Sequence, residues 1–179
     1  GTVTAVSAGR PFEVTTLRRD LATDGRRAVV AFTDDWTEDA RRRDFRLNAL
    51  YADRHGEVFD PTGEGVADAR AGRVVFVGDA RRRIEEDHLR ILRFFRFFAW
   101  FGHDRPDPDG LDACAAMAEG VDRLSAERVS SELLKLLAAP DPTEAVRAMA
   151  VAGVLTRVLG SEGDLDQIGR ASCRERVCL

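Results

Sequence analysis

A chain of 179 residues with 44% hydrophobic and 32% charged side chains has the composition of a folded globular protein with one good core or two small ones, which excludes wholesale disorder. A formal net charge of -4 excludes a protein that coats nucleic acid indiscriminately. No apolar run approaches the roughly 18 residues of a membrane span and no charged-then-apolar leader opens the sequence, so a cytoplasmic location without membrane contact is expected.

In chain order, residues 11–17, containing FEVTTL from Phe12 to Leu17, read as a β-strand with no partner before it, so a segment upstream of Gly1 is expected to be missing. Residues 28–32 (AVVAF) form a second strand, and the polar stretch Arg18 to Arg27 between the two reads as a mobile loop. Thr37 begins a short helix that runs into Arg41, Arg42 and Arg43. FRLNALYADRHGEVFD then passes from a helical turn into two short strands about His55-Gly56. Asp60-Pro61-Thr62-Gly63 is a tight turn capped by its aspartate, followed by a short helix and by a strand over Arg73–Val77. From Asp79 onward the pattern is helical, with helices over 79–86, 88–102, 109–121, 125–139 and 141–153. The last starts with Asp141 as N-cap, Pro142 at the first helical position and Glu144 at the third. The organisation is α+β: a mixed α and β piece over 1–78, then an all-α domain over 79–166. Residues 167–179 break the helical pattern and read as a scar of cloning or sequence assembly. They hold two of the three cysteines, Cys173 and Cys178. With Cys114 these form no metal-like CxxC pair and suit a reducing compartment.

Charge is unevenly laid out. Arg41 to Arg54 carries five arginines against two aspartates, and Arg81 to Arg96 six arginines against three acids, as expected where phosphates are handled at one place in an acidic whole. Only Lys135 among the 27 basic residues is not arginine, so a coding preference also fits the arginine number. The stretch Glu85 to Phe101, EEDHLRILRFFRFFAWF, is more specific. Nine apolar residues, Leu89, Ile91, Leu92, Phe94, Phe95, Phe97, Phe98, Trp100 and Phe101, point in nearly every direction around the helix, so it is buried on most sides. Arg90, Arg93 and Arg96 then lie at a crowded interface or cleft, where each needs an anion or a fixed acceptor, and phosphate is the natural guess.

Asp87 and Arg90, three residues apart, place an acceptor-only carboxylate beside a donor-only guanidinium. Cytosine and adenine present an amino donor next to a ring-nitrogen acceptor, whereas uracil and guanine present a carbonyl next to an N–H; the pair would accept C and A and reject U and G. The same spacing also suits a structural salt bridge between the two residues. Arg93 and Arg96 are placed for phosphates. Arg43 is a further phosphate candidate and Asn48 a donor to a sugar or backbone group, although the cluster around them also fits a solvated face.

In order and spacing these pieces resemble the class II nucleotidyltransferases, the family of CCA-adding tRNA nucleotidyltransferases and bacterial poly(A) polymerases. RRDFRLNALYAD is similar to the family's RRDFTINAL segment, DPTGEGVADARAGRVVFVGD to DPxGGxxDLxxxxxRxxGD, and EEDHLRILRFFRF to EDxLRxxRxxRF, over about Phe12 to Ala150. FFRFFAWFG looks like the neck helix of the alphaproteobacterial branch. The resemblance implies a truncated nucleotidyltransferase (polymerase-β-like) head with a mixed sheet, over 1–78, and an all-α neck and body that selects nucleotide and binds RNA, over 79–166. It implies nucleotide contacts for Arg43, Asp87, Arg90, Arg93 and Arg96, with Asp44, Asn48 and Asp60 in support, and an Asp/Arg pair used as protein template. It further implies CTP and ATP as substrates, the tRNA 3′ end as partner and CCA addition as reaction. Poly(A) synthesis, partial C or A addition, and nucleotide or RNA binding without turnover are the alternatives.

The sequence departs from the family at Gly63-Glu64-Gly65, Arg46 and Ala69. A larger departure concerns chemistry: the family's GGxVRD loop and the DxD strand that binds two Mg²⁺ are not in this sequence. The only D-x-D matches, Asp107-Pro-Asp109 and Asp164-Leu-Asp166, follow the neck, and Glu13 in the FEVTTL strand is a candidate to face the metal site. Catalysis by these residues alone is not expected, and a third alternative is that the truncated head does not fold and only the helical half is compact.

Overall fold

The computed structural model describes residues 2–24 and 27–159. Its first part is built of antiparallel hairpins. Strand β1 (Thr2–Ser7) pairs with β2 (Arg10–Thr15) in full register from Thr2 opposite Thr15 to Ser7 opposite Arg10. The FEVTTL strand therefore does have a partner before it, joined through Ala8-Gly9, both at positive φ. Strand β3 (Arg18–Asp24) pairs with β4 (Arg27–Phe32), with an irregularity between Asp20 and Ala22. The stretch read as a mobile loop is thus mostly strand, because a ladder satisfies backbone groups whatever the side chains' polarity; only its residues 25 and 26 lie outside the described part. After helix α1 (Trp36–Arg41) and a 3₁₀ turn at Arg46–Asn48 comes a minimal hairpin of β5 (Tyr51–Ala52) and β6 (Val58–Phe59). The α+β class holds, but among the described residues the expected mixed sheet is replaced by three two-stranded antiparallel sheets.

Helix α2 (Gly65–Ala71) stops at Gly72, whose φ of 62° supplies the left-handed C-cap. The following segment, expected as a strand over 73–77, makes only a single bridge between Phe76 and Phe45. Its backbone is used instead to hold the RRDF stretch: Arg46 N–H donates to Val75 O at 2.9 Å and Val77 N–H to Asp44 O at 3.0 Å.

The helical part is α3 (Ala80–Glu86), α4 (Leu89–Phe101), α5 (Pro108–Ala116), a 3₁₀ turn at Ala118–Arg123, α6 (Ala126–Leu137), α7 (Thr143–Val151) and α8 (Val154–Leu159). The expected helix 109–121 is broken at Met117, whose ψ of 16° departs from helix. The expected start at Asp141 holds in chemistry, since its carboxylate accepts from Thr143 N–H at 3.0 Å, although regular helix begins one turn-position later than Pro142. Gly153, at φ 69°, separates α7 from α8. Residues 160–179, including Asp164-Leu-Asp166, Cys173, Cys178 and the supposed scar, lie outside the described residues.

One apolar core runs from the RRDF segment through the helices. Phe45, Val74, Phe76 and Ile84 join Ile91, Leu92, Phe94, Phe95, Phe97 and Phe98 of α4, with Leu136, Val146, Met149 and Leu155 behind. Its centre is aromatic: Phe76 stacks on Phe94 at 5.6 Å and 10°, and Phe45 lies 4.9 Å from both Phe76 and Phe97. Burying each such ring contributes about 1.5–3 kcal/mol, and offset or tilted pairs add more. Cys114 is fully buried and its thiol is pushed up by that burial. The far end of α4 departs from expectation. Trp100 and Phe101 are about half exposed, and the Trp100 indole N–H donates to Lys135 O at 2.8 Å on α6.

Candidate nucleotide-binding site

Helix α3 ends at Glu86 and α4 starts at Leu89, and Asp87 between them is extended at φ -157° and ψ 109°. The side chains of Asp87 and Arg90 thus emerge from one short turn. They do not bond to each other as the salt-bridge reading had it; each is engaged elsewhere. Asp87 Oδ1 accepts from Leu89 N–H at 3.1 Å and Oδ2 from Arg128 Nη2 at 2.6 Å. Arg90 donates from Nε to Asp44 Oδ1 at 2.9 Å, and from Nη1 to Arg83 O at 2.6 Å and Glu86 Oε2 at 2.5 Å.

Asp44 joins two of the singled-out segments. Its second oxygen accepts from Arg93 Nε at 2.5 Å, so one carboxylate of the RRD stretch spans two arginines of α4. Arg83 ties the same stretch from the other side. Its Nη2 donates to Arg42 O at 2.6 Å and Arg43 O at 2.8 Å, and its Nη1 to Glu86 Oε2 at 2.5 Å. Burial and the neighbouring Arg90 charge pull the Arg83 guanidinium below its ordinary value. Arg96 lies further along: it donates to Glu132 Oε2 on α6 at 2.7 Å and packs over Phe97 at 4.5 Å. The anions that these three arginines meet here are the protein's own carboxylates, where the sequence suggested phosphate. Exposure ranks them for any ligand: the side chain of Arg93 is 29% exposed, against 12% for Arg90 and 17% for Arg96.

Arg43 occupies a separate cluster at the end of α1. Its Nε and Nη2 donate to Asp39 Oδ2 at 3.2 and 3.0 Å, its Nε also to the Tyr51 hydroxyl at 3.3 Å, and its Nη1 to Asn48 O at 3.4 Å. Asp39 is buried and further accepts from Arg42 Nε at 3.0 Å, Arg18 N–H at 3.0 Å and Tyr51 O–H at 2.7 Å. Burial pushes that carboxyl up, but the hydrogen bonds from Tyr51, Arg18 and Arg42 outweigh it and hold Asp39 down at about 2. Burial and the bond to Asp39 push the Tyr51 phenol up to about 12. The Asn48 amide oxygen accepts from Phe45 N–H at 3.2 Å, closing the 3₁₀ turn. Asp60 works inside its own turn, accepting from the Thr62 hydroxyl at 2.7 Å and from the N–H groups of Thr62, Gly63 and Val66. Partial burial pushes its pKa up, but these bonds outweigh it and hold the carboxyl below its ordinary value.

Glu13 stands on the exposed β1–β2 hairpin opposite Thr4. Among the described residues no three His, Cys, Asp or Glu side chains gather as a metal site, and Asp107 instead caps α5 through Gly110 N–H at 2.8 Å. The described residues do not fit a pair of magnesium ions. Among the described residues, no helix is long and apolar enough to cross a membrane.

The structure therefore brings together Asp44, Arg90 and Arg93, with Asp87 beside Arg90 on the same turn. Arg43, Asn48, Asp60 and Arg96 bond to other partners, and Glu13 stands apart on the β1–β2 hairpin. Sequence reasoning missed Arg83, Glu86, Asp39, Tyr51 and Arg128. Glu86 and Asp39 were findable from their four-residue spacing to Arg90 and Arg43. Nothing local marks Arg83's reach to two carbonyls 40 and 41 residues away, or Arg128's to Asp87.

Two family models match the chain: "Poly A polymerase head domain" over residues 1–75 and "Probable RNA and SrmB- binding site of polymerase A" over residues 105–161. Similar curated proteins include the mitochondrial CCA tRNA nucleotidyltransferase 1 of Mus musculus, 41% identical over 96% of this chain and 40% of that protein. The CCA-adding enzyme of Geobacillus thermodenitrificans is 37% identical over 89% of this chain and 40% of that protein. Among solved structures, that of the Bacillus stearothermophilus CCA-adding enzyme in complex with CTP has a TM-score of 0.81 at 33% identity, over 96% of this chain and 41% of that one. The chain spans about two fifths of the length of these relatives.

Proposed function

Because the chain belongs to the family of CCA-adding tRNA nucleotidyltransferases and poly(A) polymerases, we propose that it is the nucleotide-selecting part of an enzyme that adds CCA to the tRNA 3′ end from CTP and ATP. One observation carries the reading: Asp87 and Arg90 leave a single turn, and each is oriented by other protein groups rather than by the other. That leaves a carboxylate and a guanidinium side by side as separate acceptor and donor, the arrangement that matches the amino and ring-nitrogen edge shared by cytosine and adenine. Arg43 and the more exposed Arg93 take the triphosphate in this reading, with Arg96 further along the helix. Residues 1–78 hold the RRD stretch, and 79–166 supply the template helix and the RNA-binding body.

Magnesium, which supplies activation of the 3′ hydroxyl and stabilisation of pyrophosphate in such enzymes, belongs in this reading to the GGxVRD and DxD segments that this sequence lacks. The present residues bind and select; turnover by this chain alone is not expected. The compartment follows the host tRNA, cytoplasmic in this reading.

Titration of CTP, ATP, UTP and GTP into the folded 179-residue chain is the test. Tighter binding of CTP and ATP than of UTP and GTP is expected, and equal or absent binding of all four would overturn the template reading. A poly(A) polymerase is the second reading, favoured by the match to a poly A polymerase head, and it requires selection of ATP over CTP in the same titration.

A further inference from the structure

The β5–β6 hairpin presents one face that its own packing does not account for. Tyr51 stands opposite Phe59, and the pairing continues through Asp53 N–H, which donates to Glu57 O at 3.0 Å. Side chains alternate along a strand, so Tyr51, Asp53, Glu57 and Phe59 share that face. Trp36, the first residue of α1, closes it from the side: its ring lies 4.7 Å from Tyr51 at 75° and 6.0 Å from Phe59 at 89°. A cavity of about 380 Å³ opens there, walled by Trp36, Asp53, Glu57, Val58 and Phe59.

Two carboxylates opposite each other on one sheet face repel. Among the described residues neither is paired with a cation. Asp53 Oδ1 accepts from the N–H groups of His55 and Glu57 at 2.8 and 2.9 Å, and Arg54 at the tip donates to His55 Nε2 at 3.0 Å without forming part of the wall. Beside the two acids, Trp36 and Phe59 are 38% and 49% exposed. The walls are set in advance, because the Tyr51 hydroxyl donates to the buried Asp39 at 2.7 Å and the bonds to Asp53 hold the tip.

The chemistry of this pocket selects its occupant. Its acidic rim repels the phosphates of RNA, and a purely apolar partner would bury two unpaired carboxylates. A guanidinium answers both walls, since its plane stacks on an aromatic ring while its N–H fork meets a carboxylate. One contact of this kind is already built into the same cluster, where Arg43 Cζ lies 5.2 Å from the Tyr51 ring centre.

We propose that the pocket between α1 and the β5–β6 hairpin is a docking site for an arginine side chain displayed by a protein partner, stacked in the corner of Trp36 and Phe59 and paired with Asp53 and Glu57. The site is independent of the base-selecting reading of Asp87 and Arg90.

The experiment follows the indole N–H signals of the two tryptophans of the 179-residue chain by heteronuclear NMR as N-acetyl-arginine amide is added. Trp100, whose indole is tied to Lys135 O, is the internal reference. The expected result is a saturable shift of the Trp36 signal alone, with a millimolar dissociation constant, as suits one stacked cation and exposed ion pairs. The Asp53→Asn/Glu57→Gln pair, which keeps the shape of both side chains, is expected to weaken binding about fivefold, and the citrulline analogue to leave the signal in place. If the paired variant moves the Trp36 signal before ligand is added, the single variants carry the comparison. An unmoved Trp36 signal in the unaltered chain overturns the proposal, as does undiminished binding by the variants or by citrulline. Tighter binding of free arginine than of the blocked form would make this a metabolite site, and equal binding of tetramethylammonium a quaternary-ammonium box. A Trp36 signal that moves with protein concentration alone would seat a second copy of the chain there. Each of these three outcomes overturns the assignment to an arginine of a protein partner.

Discussion

At the scale of single residues, the best-defined chemistry is the Asp39 and Tyr51 pair under Arg43. Asp39 is depressed from 3.8 to about 2, so its contribution to stability is complete above its unfolded value and is lost as pH falls through about 2. Tyr51 is raised from 10.0 to about 12, so its contribution is complete below 10 and is lost as pH rises through about 12. Tyr51 is the only tyrosine in the chain, which makes the alkaline side directly observable. Ultraviolet absorbance is expected to show a phenol that ionises near 12 in the folded chain and near 10 after denaturation, and Asp39→Asn is expected to bring the folded value down by removing the acceptor of its proton. A phenol with an ordinary pKa in the folded state would mean that the Tyr51–Asp39 bond is not formed. Arg43 itself was legible in the sequence from the RRD stretch, whereas the tyrosine beneath it was not, because it arrives from β5, eight residues further on, by a turn whose geometry no local pattern announces.

At the scale of elements, the turn between α3 and α4 depends on a contact that only the fold supplies. A Cβ on Gly120 would lie 1.6 Å from His88 Cδ2, so Gly120→Ala is expected to force His88 outward and cost about 1–3 kcal/mol, the range for overpacking a filled site, with a lowered midpoint in urea as the measurement; an unchanged midpoint would show that His88 does not seat there. The extent of α4 was readable from its apolar run, expected over 88–102 and formed over Leu89–Phe101. Its surroundings were readable only in part. Periodicity shows that Arg90, Arg93 and Arg96 share a stripe, but their partners Asp44 and Glu132 come from 46 and 36 residues away; Asp44 was marked by the RRD stretch, though not its pairing, and Glu132 by nothing. The strand expected over Arg73–Val77 failed for a related reason: β-branched residues favour a buried extended segment, yet a ladder needs a partner, and here a single bridge to Phe45 is all that forms.

At the scale of the molecule, the apolar core passes without interruption from Phe45 and Phe76 into α4, α6 and α7, while the β1–β2 hairpin leaves Val3, Val6, Phe12 and Val14 more than half exposed. Stability should follow that division. Amide exchange is expected to be slowest across residues 91–98 and at Arg46 and Val77, and fast in β1 and β2, since protection tracks buried apolar contact. Protection of Arg46 and Val77 no better than that of β2 would mean that only the helices are compact, as one sequence-based expectation had it. The change from mixed to helical composition near residue 79 was legible; that packing ignores it was not, because composition records which elements form and not which faces meet.

The carboxylate of Asp44, shared by Arg90 and Arg93, and the guanidinium of Arg83, shared by the carbonyls of Arg42 and Arg43, make residues 42–48 and 83–93 one unit of exchange. A chimera that imports either stretch from a relative inherits half of an ionic lattice, and an unmatched buried charge costs more than the whole lattice contributes when intact. Recombination between relatives therefore has its safe crossover points before residue 42 and after residue 93, not at the boundary that the composition suggests.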